Sequence, residues 1–258
     1  MITRKTAGEI EIMAEGGRIV GRILKMMEDV VSPGIITSSI EKEAEELSDH
    51  FGVIPAFKGY SGYPSAICVS INEEVVHGIP SPKRRLREGD IVGLDFGAIH
   101  KGFFSDSAVT LPVGRISSRA RKLLDVTRAA LERGIQSAVI GNRLGDMGHA
   151  VQSFVEGFGY SVVQVFVGHG IGRSLHEDPQ VPNFGEPGRG IVLEEGMTIA
   201  IEPMVNEGGS SVRVLDDGWT AVTTDGGLSA HFEHSIAVTK DGPRILTLDC
   251  GDPKERLS

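Results

Sequence analysis

Two aspartates lie in stretches whose other residues are typical of buried β-strands. The segment GLDFGAIHKGFFSDSA, residues 93–108, contains Asp95 and Asp106. If His100 and Lys101 form the tip of a two-residue hairpin, the resulting register pairs Asp95 directly with Asp106. Like charges in such a pair destabilise a sheet. A shared proton, a basic partner or a bound cation would each relieve the repulsion.

Two further acids favour the bound cation. The segments MTIAIEPMV and AHFEHSIAVT place Glu202 and Glu233 inside apolar runs. None of the four predicted strands that carry these acids contains Lys or Arg, since Lys101 belongs to the hairpin turn. Burying a charge without a partner is costly, so four such acids predict a cluster around a positive centre. A shared proton suits two acids but not four, so we expect metal ions. The alternative is that each acid is hydrogen-bonded separately at a strand end or bulge.

The donor atoms restrict the metal and add candidate imidazoles. Carboxylates with few nitrogens suit divalent Mn, Fe, Co, Mg or Zn, and a bridging carboxylate can hold two ions about 3.5–4 Å apart. His169 and His176 occur in VGHGIGRSLHEDP, and His77 occurs in VVHGIP. We expect all three to be functional, although a lone histidine is more often a core or surface residue. The remaining histidines that we considered are expected to be structural or exposed: His50, His100 and His149.

The composition excludes several classes of protein. The chain has 258 residues, of which 40% are hydrophobic and 24% charged, as in ordinary soluble proteins. A net charge of −9 opposes stable nucleic-acid binding, and the basic cluster Lys83–Arg87 is expected to be a solvated turn. Cys68 and Cys250 are too few for a disulfide framework or a thiolate zinc site. Without an apolar run of about 20 residues or a signal-peptide core, a cytoplasmic location is expected and no membrane contact.

The elements that must position these residues are helices and antiparallel strands. Apolar spacing predicts a helix over 6–31 and a second from Ser38 that ends before Gly52. The apolar pattern of the second helix recurs 107 residues later in the chain. A predicted helix over 117–140 precedes this second copy, as the helix over 6–31 precedes the first. We therefore expect an internal repeat of about 6–112 and 117–240 within a single catalytic domain, 1–258. The alternative is that any two amphipathic helix pairs align about this well.

Short apolar runs between Gly, Pro and Asp turns predict the strands. Many are consecutive, so we expect hairpins, a mostly antiparallel sheet and an α+β fold. The predicted strands cover 66–71, 90–98, 103–112, 162–168, 197–205, 219–224 and 231–239.

Seven short motifs in this order resemble one known family. The chain is similar to a type I methionine aminopeptidase of the bacterial kind, and the resemblance runs over nearly its whole length. It implies the pita-bread fold, in which two pseudo-symmetric halves form a curved, mostly antiparallel sheet covered by helices. The motifs are HGIP at His77, LDFG at Asp95, SDSA at Asp106, GHGIG at His169, SLHEDP at His176, IEPM at Glu202 and HFEHS at Glu233.

The resemblance implies metal-dependent removal of N-terminal methionine from nascent proteins and peptides whose second residue is small. A metal-activated water would attack the first peptide bond. Glu202 would shuttle a proton, His176 would polarise the carbonyl, and His77 would contact the amide nitrogen. Two divalent cations, Co, Mn, Fe(II) or Zn, would be bound by Asp95, Asp106, His169, Glu202 and Glu233, with Asp106 and Glu233 bridging.

The resemblance also implies an apolar pocket for the methionine thioether. Leu175 stands where some family members have an aromatic residue, and His231 stands where others have glutamine. These departures concern the shape of the pocket and leave the reaction class unchanged. The implied lining is Tyr60, Tyr63, Cys68, Leu175, Trp219 and His231, with Phe57 at the rim.

Three other functions compete with this interpretation. A Xaa-Pro aminopeptidase or prolidase would use similar metal ligands, but such enzymes usually carry an additional N-terminal domain, and HGIP with the aromatic loop favours the methionine enzyme. A metal-free pita-bread binding module is disfavoured because all five ligand positions are retained. A ribosome or nucleic-acid module has in its favour the basic cluster Lys83–Arg87, for which we expect at most a transient ribosome contact. The family default is a monomer.

Overall fold

Four helices flank the strands in the computed structural model, which describes residues 2–249. They are α1, Ala7–Val30; α2, Thr37–Phe51; α3, Ser118–Ser137; and α4, Leu144–Glu156. Thr6 begins α1, because its hydroxyl accepts a bond from the amide of Glu9 while the Glu9 carboxylate accepts one from the amide of Thr6. Gly52 ends α2 with a φ of 68°. None of the helices in residues 2–249 is long and apolar enough to cross a membrane.

Fifteen strands are present in the part of the chain that the structure describes. They are β1, Ile54–Pro55; β2, Cys68–Ile71; β3, Glu74–Val76; β4, Ile91–His100; β5, Phe103–Pro112; β6, Ser161–Val162; β7, Gly168–Gly170; β8, Glu177–Val181; β9, Thr198–Ile201; β10, Met204–Asn206; β11, Val212–Val214; β12, Ala221–Thr223; β13, Ser229–His231; β14, Glu233–Thr239; and β15, Gly242–Ile245.

The largest sheet joins strands from both halves of the chain. Its order is β1-β4-β5-β14-β9-β7-β8, with β2 beside β4 and β15 beside β14, and all its pairs are antiparallel. Two three-stranded sheets, β13-β10-β6 and β11-β12-β3, complete the strands. Helices that cover a mostly antiparallel sheet confirm the predicted α+β class.

The helix pairs bury one face of the large sheet. In the first half, Ile23 of α1 and Ile40 of α2 share an apolar cluster with Leu94 and Phe96 of β4. In the second half, α3 and α4 pack similarly against β9 and β14. Successive side chains of a strand point to opposite faces, so Asp95, between Leu94 and Phe96, points away from the helices. The acids therefore share the face that the helices leave open.

The hairpin of β4 and β5 has a different register from the predicted one. Its turn is Lys101–Gly102, and Asp95 pairs with Ala108 while Asp106 pairs with Gly97. The predicted tip at His100–Lys101 is therefore wrong. Lys101 and Gly102 have φ values of 49° and 81°, the positive values that a tight two-residue hairpin needs and that glycine adopts freely. Because the register moves by an even step, Asp95 and Asp106 still share one face.

Three predicted strands are interrupted. The predicted strand 231–239 is broken at Phe232, between the end of β13 and the start of β14. The predicted strand 197–205 ends at Ile201 and resumes at Met204 in another sheet, because Pro203 has no amide hydrogen to donate to a ladder. In the predicted strand 162–168, only Val162 and Gly168 belong to strands, and residues 163–167 form a connecting segment. In this segment Val165 is exposed, whereas Phe166 and Val167 line a cavity. Phe158, which the repeat aligns with the end of α2, lies beyond α4 and is exposed.

Candidate metal centre and active site

The five predicted ligands come from five neighbouring strands of the large sheet. In sheet order, β4, β5, β14, β9 and β7 each supply one side chain, and the glutamate of β9 follows the last residue of that strand directly. This arrangement places residues that are distant in sequence side by side. The side chains are Asp95, Asp106, Glu233, Glu202 and His169, and all five line one cavity.

The donor atoms lie close enough together to share metal ions. His169 Nε2 is 3.6 Å from Glu202 Oε1 and 4.0 Å from Asp106 Oδ2. Ligand atoms of Asp106, His169 and Glu233 all lie within 4.8 Å of one another, and the same holds for a second group, Glu202, His231 and Glu233. Oxygen donors with few imidazoles fit a hard or borderline divalent cation.

Several buried polar atoms of this cluster have no hydrogen-bond partner within residues 2–249. They are Oδ1 of Asp95 and Asp106, Oε1 of Glu233 and Nε2 of His231. A buried polar atom without a partner costs about 1–3 kcal/mol, and more when it is charged. A divalent cation would supply the missing partner for such oxygen atoms, so the residues fit the predicted metal.

Burial and mutual repulsion favour the protonated form of these acids in the metal-free protein. Burial raises the pKa of Asp106 to about 7, although the Ser107 backbone amide and the Asp95 side chain lower it in part. Burial and the nearby Asp106 raise the pKa of Asp95 and of Glu202 well above the usual range. A divalent cation reverses this preference, because metal binding requires deprotonated carboxylates.

His169 is prepared to act as a ligand through one particular nitrogen. Its Nδ1 lies 2.9 Å from the carbonyl oxygen of Gly170, so Nδ1 carries the hydrogen and Nε2 carries the lone pair. Burial and the nearby His176 lower the pKa of His169 to about 3, which keeps the imidazole neutral. Both properties suit a metal ligand.

The cavity above the acids has a volume of about 360 Å³. Of the predicted pocket residues, His231 does not line it. Five lining residues were not predicted, although two had a signal: Met204 lies two residues after Glu202, and Phe166 lies in the apolar run just before Gly168 and His169. The predicted residues that line it are Phe57, Tyr60, Tyr63, Cys68, His77, Leu175, His176 and Trp219; the unpredicted ones are Ser61, Val76, Phe166, Val167 and Met204.

Two non-ligand histidines reach the cavity in different settings. His176 Nδ1 lies 2.7 Å from the Tyr60 hydroxyl, and its ring centroid is 4.3 Å from that of His169. The ring of His77 packs edge-on against Phe166, and burial together with His176 lowers the pKa of His77 to about 4. Both imidazoles are therefore held by aromatic neighbours at the wall of the cavity.

Comparison with known proteins identifies the family of this chain. The profile of metallopeptidase family M24 matches residues 11–240. The chain belongs to metallopeptidase family M24. Among M24 relatives, a methionine aminopeptidase from Clostridium acetobutylicum is 51% identical, covering 96% of this chain and 99% of the relative. Methionine aminopeptidase 1 of Bacillus subtilis is 50% identical with the same coverage. The predicted resemblance to bacterial methionine aminopeptidases is confirmed.

Solved structures of other proteins agree with the fold. A crystal structure of a methionine aminopeptidase from Thermotoga maritima superposes with a TM-score of 0.95 at 50% identity, covering 96% of this chain and 100% of that one. Prolidase from Pyrococcus furiosus superposes with a TM-score of 0.77 at 23% identity, covering 95% of this chain and 65% of that one. The prolidase shares the fold alone, and the predicted pita-bread fold is confirmed.

In this M24 chain a buried ion pair holds the loop that carries His176. Lys5 Nζ lies 2.5 Å from Glu177 Oε2, and the Lys5 side chain is 3% exposed. The other Glu177 oxygen accepts bonds from the backbone amides of Arg173 and Ser174, at 2.7 and 3.2 Å. One carboxylate thus joins the N-terminal segment to both ends of a short loop next to the cavity.

Hydroxyl and amide groups hold the backbone beneath the ligands. Ser235 Oγ accepts a bond from the Asp106 amide and donates to the Asp106 carbonyl, at 3.0 and 2.7 Å. Asn183 Nδ2 donates to the carbonyl of Glu202 at 3.0 Å. His234, which the sequence interpretation did not consider, has its Nδ1 2.8 Å from the Thr247 hydroxyl. These bonds fix the strands from which the ligands project.

Proposed function

We propose that this chain is a metal-dependent aminopeptidase that removes N-terminal methionine from peptides and nascent proteins whose second residue is small. The observation that carries the proposal is the set of five ligands at the base of a cavity with aromatic and apolar walls. The names of the relatives agree with it, since methionine aminopeptidases about 50% identical cover nearly the whole chain. The same ligand set disfavours a metal-free binding module.

The residues that would hold the metal follow from their donor atoms. Asp95, Asp106, His169, Glu202 and Glu233 would hold two divalent cations, Co, Mn, Fe(II) or Zn. When bound, such ions lower the pKa of a water molecule toward neutrality and polarise a carbonyl group. All other steps of the reaction depend on the side chains of the chain itself.

Proton transfer is assigned to Glu202. Its carboxylate lies at the cavity beside His169, and it retains 14% exposure, so it can contact both a water molecule and the substrate. A deprotonated carboxylate in this position can accept a proton from water and return it to the leaving amine. Glu202 is therefore both a ligand and the proposed proton shuttle.

The two cavity histidines would act on the scissile peptide bond. Because the Tyr60 hydroxyl occupies His176 Nδ1, the ring nitrogen left for a substrate is Nε2, which can donate to the carbonyl oxygen as negative charge develops there. His77 would contact the amide nitrogen of the same bond. Its position against Phe166 and Trp219 restricts rotation of the ring.

The aromatic part of the cavity suits the methionine side chain. Tyr63 and Trp219 form an edge-on pair with centroids 5.1 Å apart, and Cys68 and Leu175 are buried beside them. A flexible thioether fills irregular apolar space, and its sulfur contacts aromatic rings favourably. A cavity of about 360 Å³ leaves room for methionine and a small second residue.

The basic cluster Lys83–Arg87 is the feature from which we propose a further partner. Arg84 bonds to Glu74 at 2.6 Å and Arg85 donates to the carbonyl of Gly34 at 2.7 Å, so part of the basic cluster is used within the protein. Lys83 and Arg87 are exposed, and they would support a transient contact with the ribosome while nascent N-termini are processed. We propose a single-domain monomer that works in the cytoplasm.

Hydrolysis of defined peptides tests the proposal. The chelated protein is supplied with Mn, Fe(II), Co or Zn and assayed on Met-Ala-Ser, Met-Lys-Ser and Ala-Pro-Ser. We expect release of methionine from Met-Ala-Ser in the presence of metal, and little cleavage of the other two peptides. The matched control Asp106→Asn keeps the size of the side chain and should be inactive. Preferential cleavage of Ala-Pro-Ser would favour the prolidase-like alternative, and full activity in chelator would exclude a metal mechanism.

A further inference from the structure

His231 has a buried ring nitrogen without a partner beside two ligands. Its Nε2 has no hydrogen-bond partner within residues 2–249. The nearest carboxylate oxygens are Glu202 Oε2 at 3.8 Å and Glu233 Oε2 at 3.9 Å, too far for hydrogen bonds. The side chain is 5% exposed, so bulk water does not solvate it freely. A buried polar atom of this kind requires a partner in the working protein.

The backbone holds His231 firmly in this place. The Thr110 hydroxyl accepts a bond from the His231 amide at 2.9 Å and donates to the His231 carbonyl at 2.8 Å. In the next position Phe232 packs in the apolar core, with the Arg128 guanidinium over its ring. The side chains of His231 and Glu233 lie on the same side, with His231 Nε2 3.9 Å from Glu233 Oε2. The backbone that carries the imidazole is therefore anchored beside the candidate ligands.

Glu202 lies between two imidazoles, one at each oxygen. Its Oε1 is 3.6 Å from His169 Nε2, and its Oε2 is 3.8 Å from His231 Nε2. His169 presents a lone pair there, because its Nδ1 hydrogen is bonded to Gly170. Donors bound to one ion at about 2.1 Å lie roughly 3–4 Å apart, so Oε1 and His169 suit a common ion. The other carboxylate oxygen, Glu202 Oε2, does not belong to this pair of donor atoms and faces His231.

We propose that His231 is a positioning residue whose Nε2 hydrogen bonds to Glu202 Oε2 and thereby directs Oε1 toward His169. This inference rests on the metal-dependent function proposed above. An Nε2 hydrogen attracts both nearby carboxylates, whereas a lone pair would repel them. The bond requires the 3.8 Å separation to shorten to about 3 Å, which a rotation of the Glu202 side chain can supply. His231 Nε2 and Glu202 Oε2 then each have a hydrogen-bond partner.

A direct role as a ligand would require the opposite tautomer. Glu202, His231 and Glu233 have donor atoms within 4.8 Å of one another, so an ion between them is the alternative. In that case His231 Nε2 carries a lone pair and Nδ1 carries the hydrogen. Spectra that correlate imidazole protons with ¹⁵N nuclei in the zinc-loaded protein distinguish the tautomers. We expect the Nε2 hydrogen at His231 and the Nδ1 hydrogen at His169; an Nδ1 hydrogen at His231 would overturn the proposal.

Two substitutions test the same point by function. His231→Gln keeps a side-chain N–H donor of similar reach, whereas His231→Leu removes it and keeps an apolar volume. Loss of a group that orients a ligand weakens metal binding by about 10- to 100-fold. We therefore expect the cobalt Kd of His231→Leu to rise by at least about 10-fold, with a parallel fall in kcat, and that of His231→Gln to stay within about 3-fold of wild type. The matched control is His149→Leu, because His149 is exposed.

The outcomes separate this inference from the proposed function. Wild-type affinity in His231→Leu, or equal weakening in both variants, would overturn the positioning role while leaving the aminopeptidase intact. Absence of cobalt binding and of methionine release in the wild type would overturn both proposals. In chelator, His231→Leu should unfold at or above the wild-type temperature, because the unpaired nitrogen is removed. If His231→Leu does not fold, His231→Met provides the same comparison.

Discussion

Asp95 and Asp106 are diagonal neighbours on one face of the β4–β5 hairpin: Asp95 pairs with Ala108, and Asp106 pairs with Gly97. The two carboxylates therefore share a space without being directly opposed. Their burial and proximity raise the pKa of Asp95 well above its usual range and favour the neutral form when no metal is bound. The same proximity would let both acids hold one metal ion.

The contribution of Asp106 to the stability of the metal-free protein should fall as the pH rises. The folded-state pKa of Asp106 is raised from 3.8 to about 7, so the folded state binds this proton more tightly than the unfolded state. The free energy of unfolding therefore falls between about pH 4 and pH 7 on account of Asp106. Asp106→Asn lacks this contribution, while the buried histidines affect both proteins alike.

Thermal unfolding of both proteins in chelator measures this effect. The unfolding temperature of the wild type, relative to Asp106→Asn, should fall from pH 4 to pH 7. Addition of a divalent cation at pH 7 should raise the wild-type temperature strongly. A wild-type advantage that grew with pH in chelator would contradict the raised pKa.

The buried ion pair should control catalysis through the His176 loop. Lys5→Met leaves Glu177 buried without its partner, and breaking such a pair costs about 3–5 kcal/mol. We expect lower stability and lower kcat with little change in cobalt affinity, because the loop carries His176 and no carboxylate ligand. Arg4→Met is the matched control, since Arg4 pairs with Glu194 on the surface. Unchanged kcat in Lys5→Met, measured well below its unfolding temperature, would show that the loop does not depend on this pair.

The Tyr60 hydroxyl should orient His176. Tyr60→Phe removes the 2.7 Å hydrogen bond to Nδ1 and keeps the ring that contacts the imidazole. A bond of this kind contributes about 0.5–1.5 kcal/mol, so kcat on Met-Ala-Ser should fall about 3- to 10-fold. The KM and the cobalt affinity should change little, since neither depends on this bond. Tyr160→Phe, remote from the cavity, is the control, and a pure rise in KM would assign Tyr60 to substrate binding.

The candidate ligands can be singled out in the sequence, whereas their mutual arrangement cannot. An acid inside an apolar run, such as Glu202, can be recognised from the sequence alone, because burial of a charge without a partner is costly. The hairpin register depends on the backbone angles of Lys101 and Gly102, which residue types constrain weakly. The place of His231 behind Glu202 depends on pairing between β13 and β10, a contact that local patterns do not specify.

The absence of a side chain at Gly97 should be necessary for the position of Asp106. A Cβ atom at Gly97 would lie 2.8 Å from Phe57 Cε1 and 3.2 Å from Asp106 Oδ1. Gly97→Ala therefore forces the Phe57 ring and the Asp106 carboxylate to move, at a cost of about 1–3 kcal/mol. We expect weaker cobalt binding and a lower kcat, measured by titration and by methionine release.

Gly8→Ala is the matched control for Gly97→Ala. A Cβ atom at Gly8, within α1, meets no heavy atom within 4 Å. Alanine in a helix is favoured over glycine by about 0.5–1 kcal/mol, so Gly8→Ala should be as active as the wild type and slightly more stable. Equal cobalt affinity in the two variants would mean that the Asp106 carboxylate tolerates a neighbour at position 97, and that the cross-strand pair does not set the geometry of the metal centre.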